Sequence, residues 1–197
     1  LPMQLKSITI IGAGDETVLT SGLLTGEIDG TYPITLSTLD QLRESDAVNV
    51  TEGPGYGIAA FIVSSFDGAL ADKRVRQALS LAIDRPGIIS ALFKGAGYPA
   101  RAVAVPGTWG YEKEQFTAAW NELPDVSTPN LEEAKRLVEE AGATGQTVRI
   151  GMSSELAVIS GEATEFQRAL ESIGMKGELV SVAAATYNNF FTDPPAR

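Results

Sequence analysis

The sequence predicts an α/β fold, a largely parallel or mixed sheet flanked by helices. Three observations predict it. From position 48 onward, segments of strand length alternate with segments of helical periodicity, the pattern that places helices on the faces of a sheet. The helical segments carry their own punctuation, with Asp72, Asp84 and Asn130 before them and glycines after them. One stretch, Ile58-Ala59-Ala60-Phe61-Ile62-Val63, is apolar almost without interruption, as expected of a strand buried on both faces.

The elements follow in order. Ser7-Ile8-Thr9-Ile10-Ile11 is β-rich and ends at Gly12-Ala13-Gly14, which predicts a short strand and turn. Asp15 caps a helix lined by Val18, Leu19, Leu23 and Leu24 and closed by Gly26. Strand followed by Gly-x-Gly invites a dinucleotide reading, but the third glycine of that motif would fall on Thr17. Ser37, with Asp40 three positions later, approximates a capping box for a short helix over Ser37 to Arg43, and Val48 to Thr51 follows as a strand. Gly53-Pro54-Gly55-Tyr56-Gly57 is a loop, and the apolar run described above comes next.

The most informative stretch is Asp72-Lys73-Arg74-Val75-Arg76-Gln77-Ala78-Leu79-Ser80-Leu81-Ala82-Ile83-Asp84-Arg85. Val75, Ala78, Leu79, Ala82 and Ile83 share one face of a 3.6-residue helix, and Asp72 suits its open, positive first turn. Asp84 starts a second helix in which Pro86 falls in the first turn, Ile88, Ile89, Leu92 and Phe93 form the apolar face, and Gly95 and Gly97 end it. A long Pro-, Gly- and aromatic-rich connection runs from Gly97 to Asn130. Asn130 with Glu133 then approximates a capping box for a helix carrying Leu131, Ala134, Leu137, Val138 and Ala141 and ended by Gly142. Thr147 to Met152 is a strand, Ser153-Ser154-Glu155 the turn beyond it, and Ala163, Phe166, Ala169, Leu170 and Ile173 mark another helix. Glu178 to Val182 is a strand, and Thr186 to Phe191 opens a final helix.

Composition narrows the function. The 197 residues carry 25 acidic and 15 basic side chains, a net charge of −10 that disfavours nucleic acid and anionic membrane surfaces as partners. With no Cys and no His, disulfides, thiolate metal sites and histidine chemistry are excluded, and neither a metal nor a cofactor is expected. No apolar run approaches the roughly 20 residues of a membrane helix. Leu1-Pro2-Met3-Gln4-Leu5-Lys6 lacks signal-peptide character, and the sequence stops at Asp193-Pro194-Pro195-Ala196-Arg197, so it reads as a piece of a longer protein.

The run from Asp72 to Arg85, with Ile88-Ile89, Gly95-Ala96-Gly97 and Pro99-Ala100, resembles the signature of the extracytoplasmic solute-binding proteins of peptide and nickel ABC importers, solute-binding family 5. Weaker likenesses extend the match: Leu24 to Gly30 resembles the family's L-x-x-G-E-x-D segment. Val48 to Ser65 resembles its crossing between lobes, with Ser64 or Ser65 where an Asn is usual. Pro106 to Tyr111 and the Asn130 helix also have family counterparts, the latter with Asn130-Leu131 in place of Asp-Pro. The resemblance implies a periplasmic-binding-protein-like lobe belonging to a two-lobed protein, with residues 1–47 the end of the first lobe and 48–197 most of the second. It further implies a monomeric, extracytoplasmic receptor, periplasmic or lipid-anchored, that closes its lobes around a peptide or small solute and delivers it to membrane permease subunits. The family's ligand-anchoring aspartate, in a W-x-x-D-like loop, would fall beyond position 197, so this piece alone is expected to bind peptide weakly or not at all.

In open α/β sheets, ligands sit beyond the carboxyl ends of strands, which singles out Ser153, Ser154 and Glu155. The resemblance puts the same turn at the interlobe cleft. The alternative is an ordinary strand-to-helix turn in which Ser153 or Ser154 is a helix cap. Trp109 is a further candidate ligand contact, its alternative being to staple the long connection to the core together with Trp120. A second functional class, a small carboxylate-based hydrolase, would use Glu27 with Asp29 or Glu155 with Glu162. Against it, the sequence offers no nucleophile elbow, phosphate loop or intact dinucleotide motif.

Overall fold

The computed structural model describes residues 5–12, 15–32, 34–53, 55–187 and 189, which fall into two compact units, one within residues 1–53 and one within 54–197. In the first, α1 (Glu16–Thr25) begins where the Asp15 carboxylate accepts the Thr17 and Val18 N–H groups, and it ends at Gly26, whose φ of 75° is left-handed. Gly22 is buried because the Ile28 side chain folds onto it; an added Cβ would lie 2.7 Å from Ile28 Cδ1. The short α2 (Leu39–Arg43) buries Leu39 and Leu42. The capping box expected at Ser37 does not form: the Ser37 hydroxyl donates instead to Glu16 Oε2 at 2.6 Å, and α2 starts two residues later, after Thr38.

The second unit holds a 3₁₀ turn (Gly68–Ala71), α3 (Lys73–Ala82), α4 (Arg85–Phe93), a second 3₁₀ turn (Pro106–Thr108), α5 (Lys113–Glu122), α6 (Leu131–Glu140), β1 (Thr147–Met152), α7 (Ala157–Ser172), β2 (Lys176–Ser181) and α8 (Ala184–Tyr187). The caps fall where the sequence places them. Asp72 accepts the Arg74 N–H at 2.8 Å, Asp84 the Gly87 N–H at 3.0 Å and Asn130 the Glu133 N–H at 3.1 Å. Only half of the Asn130 box closes: the Glu133 carboxylate takes Arg136, while the Asn130 N–H donates to the Leu81 carbonyl and ties α6 to the end of α3.

The core gathers Val75, Ala78, Leu79 and Ala82 of α3, Ala134, Leu137 and Val138 of α6, Val148 and Ile150 of β1, and the Ala163 to Ile173 stripe of α7. β1 and β2 pair in parallel, Thr147 opposite Lys176 through Met152 opposite Ser181, with α7 as the crossover that a parallel pair requires. The helix lies close on β2. A Cβ on Gly177 would sit 3.1 Å from Gln167 Cα, and Gln167 Nε2 donates to the Gly177 carbonyl at 2.7 Å.

Three expected strands are corrected. Residues 7–11, 48–51 and 58–63 are in no ladder, and the run expected to be buried on both faces leaves Phe61 41% and Ile62 64% exposed. A strand needs hydrogen-bonding neighbours as well as an apolar sequence, and among the described residues β1 and β2 pair only with each other. The 97–130 connection is also more ordered than expected, since it contains α5. The final helix begins at Ala184, two residues earlier than expected; Phe190, Phe191, Ala13 and Gly14 lie outside the described residues.

Candidate ligand site at the carboxyl ends of the strands

At the end of β1 the chain turns through Ser153, Ser154 and Glu155 into α7. The Ser153 carbonyl accepts the Leu156 N–H at 3.2 Å, and the Met152 carbonyl accepts the Val182 N–H at 2.9 Å, which carries the pairing one step past β2. Ser153 is 0% exposed, and its hydroxyl is the one buried side-chain oxygen among the described residues without a hydrogen-bond partner. Burying a hydroxyl without a partner costs about 1–3 kcal/mol, an expense that ordinary turns avoid. Ser154 reaches across the strand ends, where Ser181 Oγ donates to its Oγ at 3.2 Å. Glu155 is exposed.

Neither serine caps α7. The N-cap is Leu156, which has no side-chain hydrogen bond to offer, and no acid occupies the first turn. The 16-residue helix therefore presents its positive end beside the turn without a neutralising side chain. This removes the ordinary capping role as the reason for two serines here and leaves hydroxyls, one open carboxylate and a helix N-terminus at the mouth of a parallel strand pair.

Trp109 belongs to a separate cluster. Its ring stacks on Phe116 at 5.7 Å and meets Trp120 edge-on at 5.7 Å, and its indole N–H donates to the Ala104 carbonyl. These aromatics staple the connection to its own helix α5 and are not among the residues of the main core. Among the described residues, no hydrogen bond or ring contact joins Trp109 to the 153–155 turn.

One residue beside the turn escapes a reading of the sequence alone. Ser181 becomes visible only once the register sets it beside Met152, next to Ser154. Glu162 is half-buried on α7, where burial raises its carboxyl above the ordinary value; Tyr187 of α8 is raised as well, first by burial and then by the Glu162 charge. The pairs offered for carboxylate chemistry do not form sites: Glu27 and Asp29 are exposed after α1, and Glu155 is exposed while Glu162 is half-buried within α7. No group of three or more metal-ligating side chains gathers among the described residues, and no helix there is long and apolar enough to cross a membrane.

Comparison with known proteins gives the family of the chain. The dipeptide-binding protein of Escherichia coli (strain K12) is 31% identical over 102 residues, 52% of this chain and 17% of that protein. The structure of HbpA2 from Haemophilus parasuis superposes with a TM-score of 0.66 at 26% identity, covering 90% of this chain and 34% of that one. A putative peptide-binding protein, AppA, from Clostridium difficile gives 0.67 at 20% identity, covering 92% and 36%, and so shares the fold. The chain thus spans about a sixth to a third of the relatives it matches. The family model described as bacterial extracellular solute-binding proteins, family 5 middle, matches residues 2–193, and the chain belongs to that family.

Proposed function

We propose that the protein containing this chain is the solute receptor of an ABC importer, capturing a peptide or peptide-like solute outside the cell membrane and delivering it to permease subunits by lobe closure. Residues 1–47 then form the end of one lobe and 48–197 most of the other. The observation that carries the reading to particular residues is the buried, unpartnered Ser153 hydroxyl at the carboxyl end of β1, beside the Ser154 and Ser181 pair and the uncapped start of α7. Hydroxyls and free backbone N–H groups suit the carbonyls and carboxylate of a peptide main chain, because they hold it without reading its side chains. Glu155 adds a charge at the rim, whereas Trp109, held with Phe116 and Trp120, is not joined to this turn. The ligand selects the closed form through contacts that both lobes make only when shut.

Native mass spectrometry of the gently purified protein tests this. Added mass that fragments into short peptides is the expected result. A protein that arrives bare and gives no calorimetric response to a di- to pentapeptide library would overturn it.

A further inference from the structure

Glu162 lacks the arginine partner that some of its neighbouring acids have. Glu165 on the same helix pairs with Arg168, and Glu133 and Glu140 on α6 share Arg136, whereas no ion pair among the described residues includes Glu162. It is half-buried, and its surroundings are aromatic. Phe166 stands one helical turn further along, at the i,i+4 spacing that makes side chains neighbours, and stacks on Phe61 with ring centroids 4.2 Å apart and planes 15° from parallel. Tyr187 of α8, the element that follows the carboxyl end of β2, lies near enough for the Glu162 charge to raise its hydroxyl, after burial. Phe61 keeps 41% of its surface exposed, so the aromatic wall remains reachable from solvent.

A half-buried carboxylate without a cation is costly, and an arriving positive charge removes that cost. Aromatic faces attract the same charge through their quadrupoles. We propose that Glu162, one helical turn from the Phe166 ring and near Tyr187, is a cation-accepting site that takes an ammonium or guanidinium group of the bound solute. The identity of that solute rests on the receptor reading above; the cation preference rests on the carboxylate and its rings. Glu162 is thus a specificity residue, apart from the serine turn that suits a peptide main chain.

Two measurements on the intact protein test it. With glutamate carboxyls ¹³C-labelled and Glu162 assigned by Glu162→Gln, its titration is followed by NMR in n-butylammonium chloride and in sodium chloride at equal ionic strength. The midpoint is expected to fall in the organic cation; identical midpoints in the two salts would overturn the proposal. Calorimetry then compares N-acetylated Ala-Lys-Ala with N-acetylated Ala-Ala-Ala, so that the lysine side chain carries the only ammonium. A preference of about tenfold for the lysine peptide, lost in Glu162→Gln, is expected. No preference, or a preference that survives the substitution, would overturn the proposal. If neither tripeptide binds yet butylammonium still lowers the midpoint, the cation site stands and the peptide-receptor reading fails.

Discussion

Helix α3 and the run from Ile58 to Val63 are neighbouring apolar stretches with opposite fates. In α3, Val75 and Ala78 are fully buried, whereas in the run Ile62 is largely exposed and no residue joins a ladder. The difference lies in the backbone. A helix satisfies its N–H and C=O groups internally, so one apolar stripe and one partner surface suffice to place it. A strand must find its hydrogen bonds on another strand, and an apolar sequence cannot supply that neighbour. Sequence therefore predicts a helix's surroundings from the helix itself, and a strand's only from the rest of the sheet.

The two phenylalanines in contact across this divide give the sharpest test. Phe166→Ala, inside the α7 stripe, should cost about 3–5 kcal/mol in urea denaturation, because it empties a packed core site. Gly177→Ala comes next at about 1–3 kcal/mol, since its Cβ meets the Gln167 backbone and must push α7 off β2; an unchanged thermal midpoint would show that the two elements are not in close contact. Phe61→Ala should cost less than about 1.5 kcal/mol, the worth of one stacked aromatic pair on a half-open site. A Phe61 loss as large as that of Phe166 would break the comparison by showing the run to be core.

The smallest effect concerns the cap of α3. The Arg74 guanidinium and then the Arg74 backbone N–H hold the Asp72 carboxyl down at about 2, against 3.8 ordinarily. Its folded value is lowered, so its contribution to stability is fully present above the ordinary value and is lost as pH falls from about 4 to about 2. Denaturation midpoints measured across that window should decline less steeply in Asp72→Asn, which keeps a cap acceptor but no charge. Equal slopes would remove the carboxylate from the account.

Much of the second unit was legible because its signals are local. Asp72, Asp84 and Asn130 cap as expected, β1 spans the expected residues, and Gly142 after α6 takes a positive φ. Helix α5 was hidden by the Pro- and Gly-rich sequence before it, although Phe116 and Trp120, four residues apart, already marked one face. The turn at Ser153 to Glu155 lies at the carboxyl end of β1 as expected, which strand order alone predicts. Its partner Ser181 was not, because a cross-strand contact depends on register, and register is a property of two segments at once. Glu162 entered the sequence reading only as a candidate partner of Glu155, because a carboxylate's surroundings are not local: Phe61, which stacks on Phe166, lies far earlier in the chain.

The β1–α7–β2 crossover has a consequence for how the chain reaches this structure. Residues 147–181 form one contiguous unit in which both strands and the helix covering them follow each other through short turns, so little loop entropy is lost in bringing them together. Helix α3, by contrast, waits for α6, which the chain does not supply until it has passed through α4, α5 and the intervening loops. Pulse-labelling hydrogen exchange should therefore find the amides of β1 and β2 protected before those of α3. The serine turn, inside the early unit, would be assembled while the longest-range packing of the second unit is still being made.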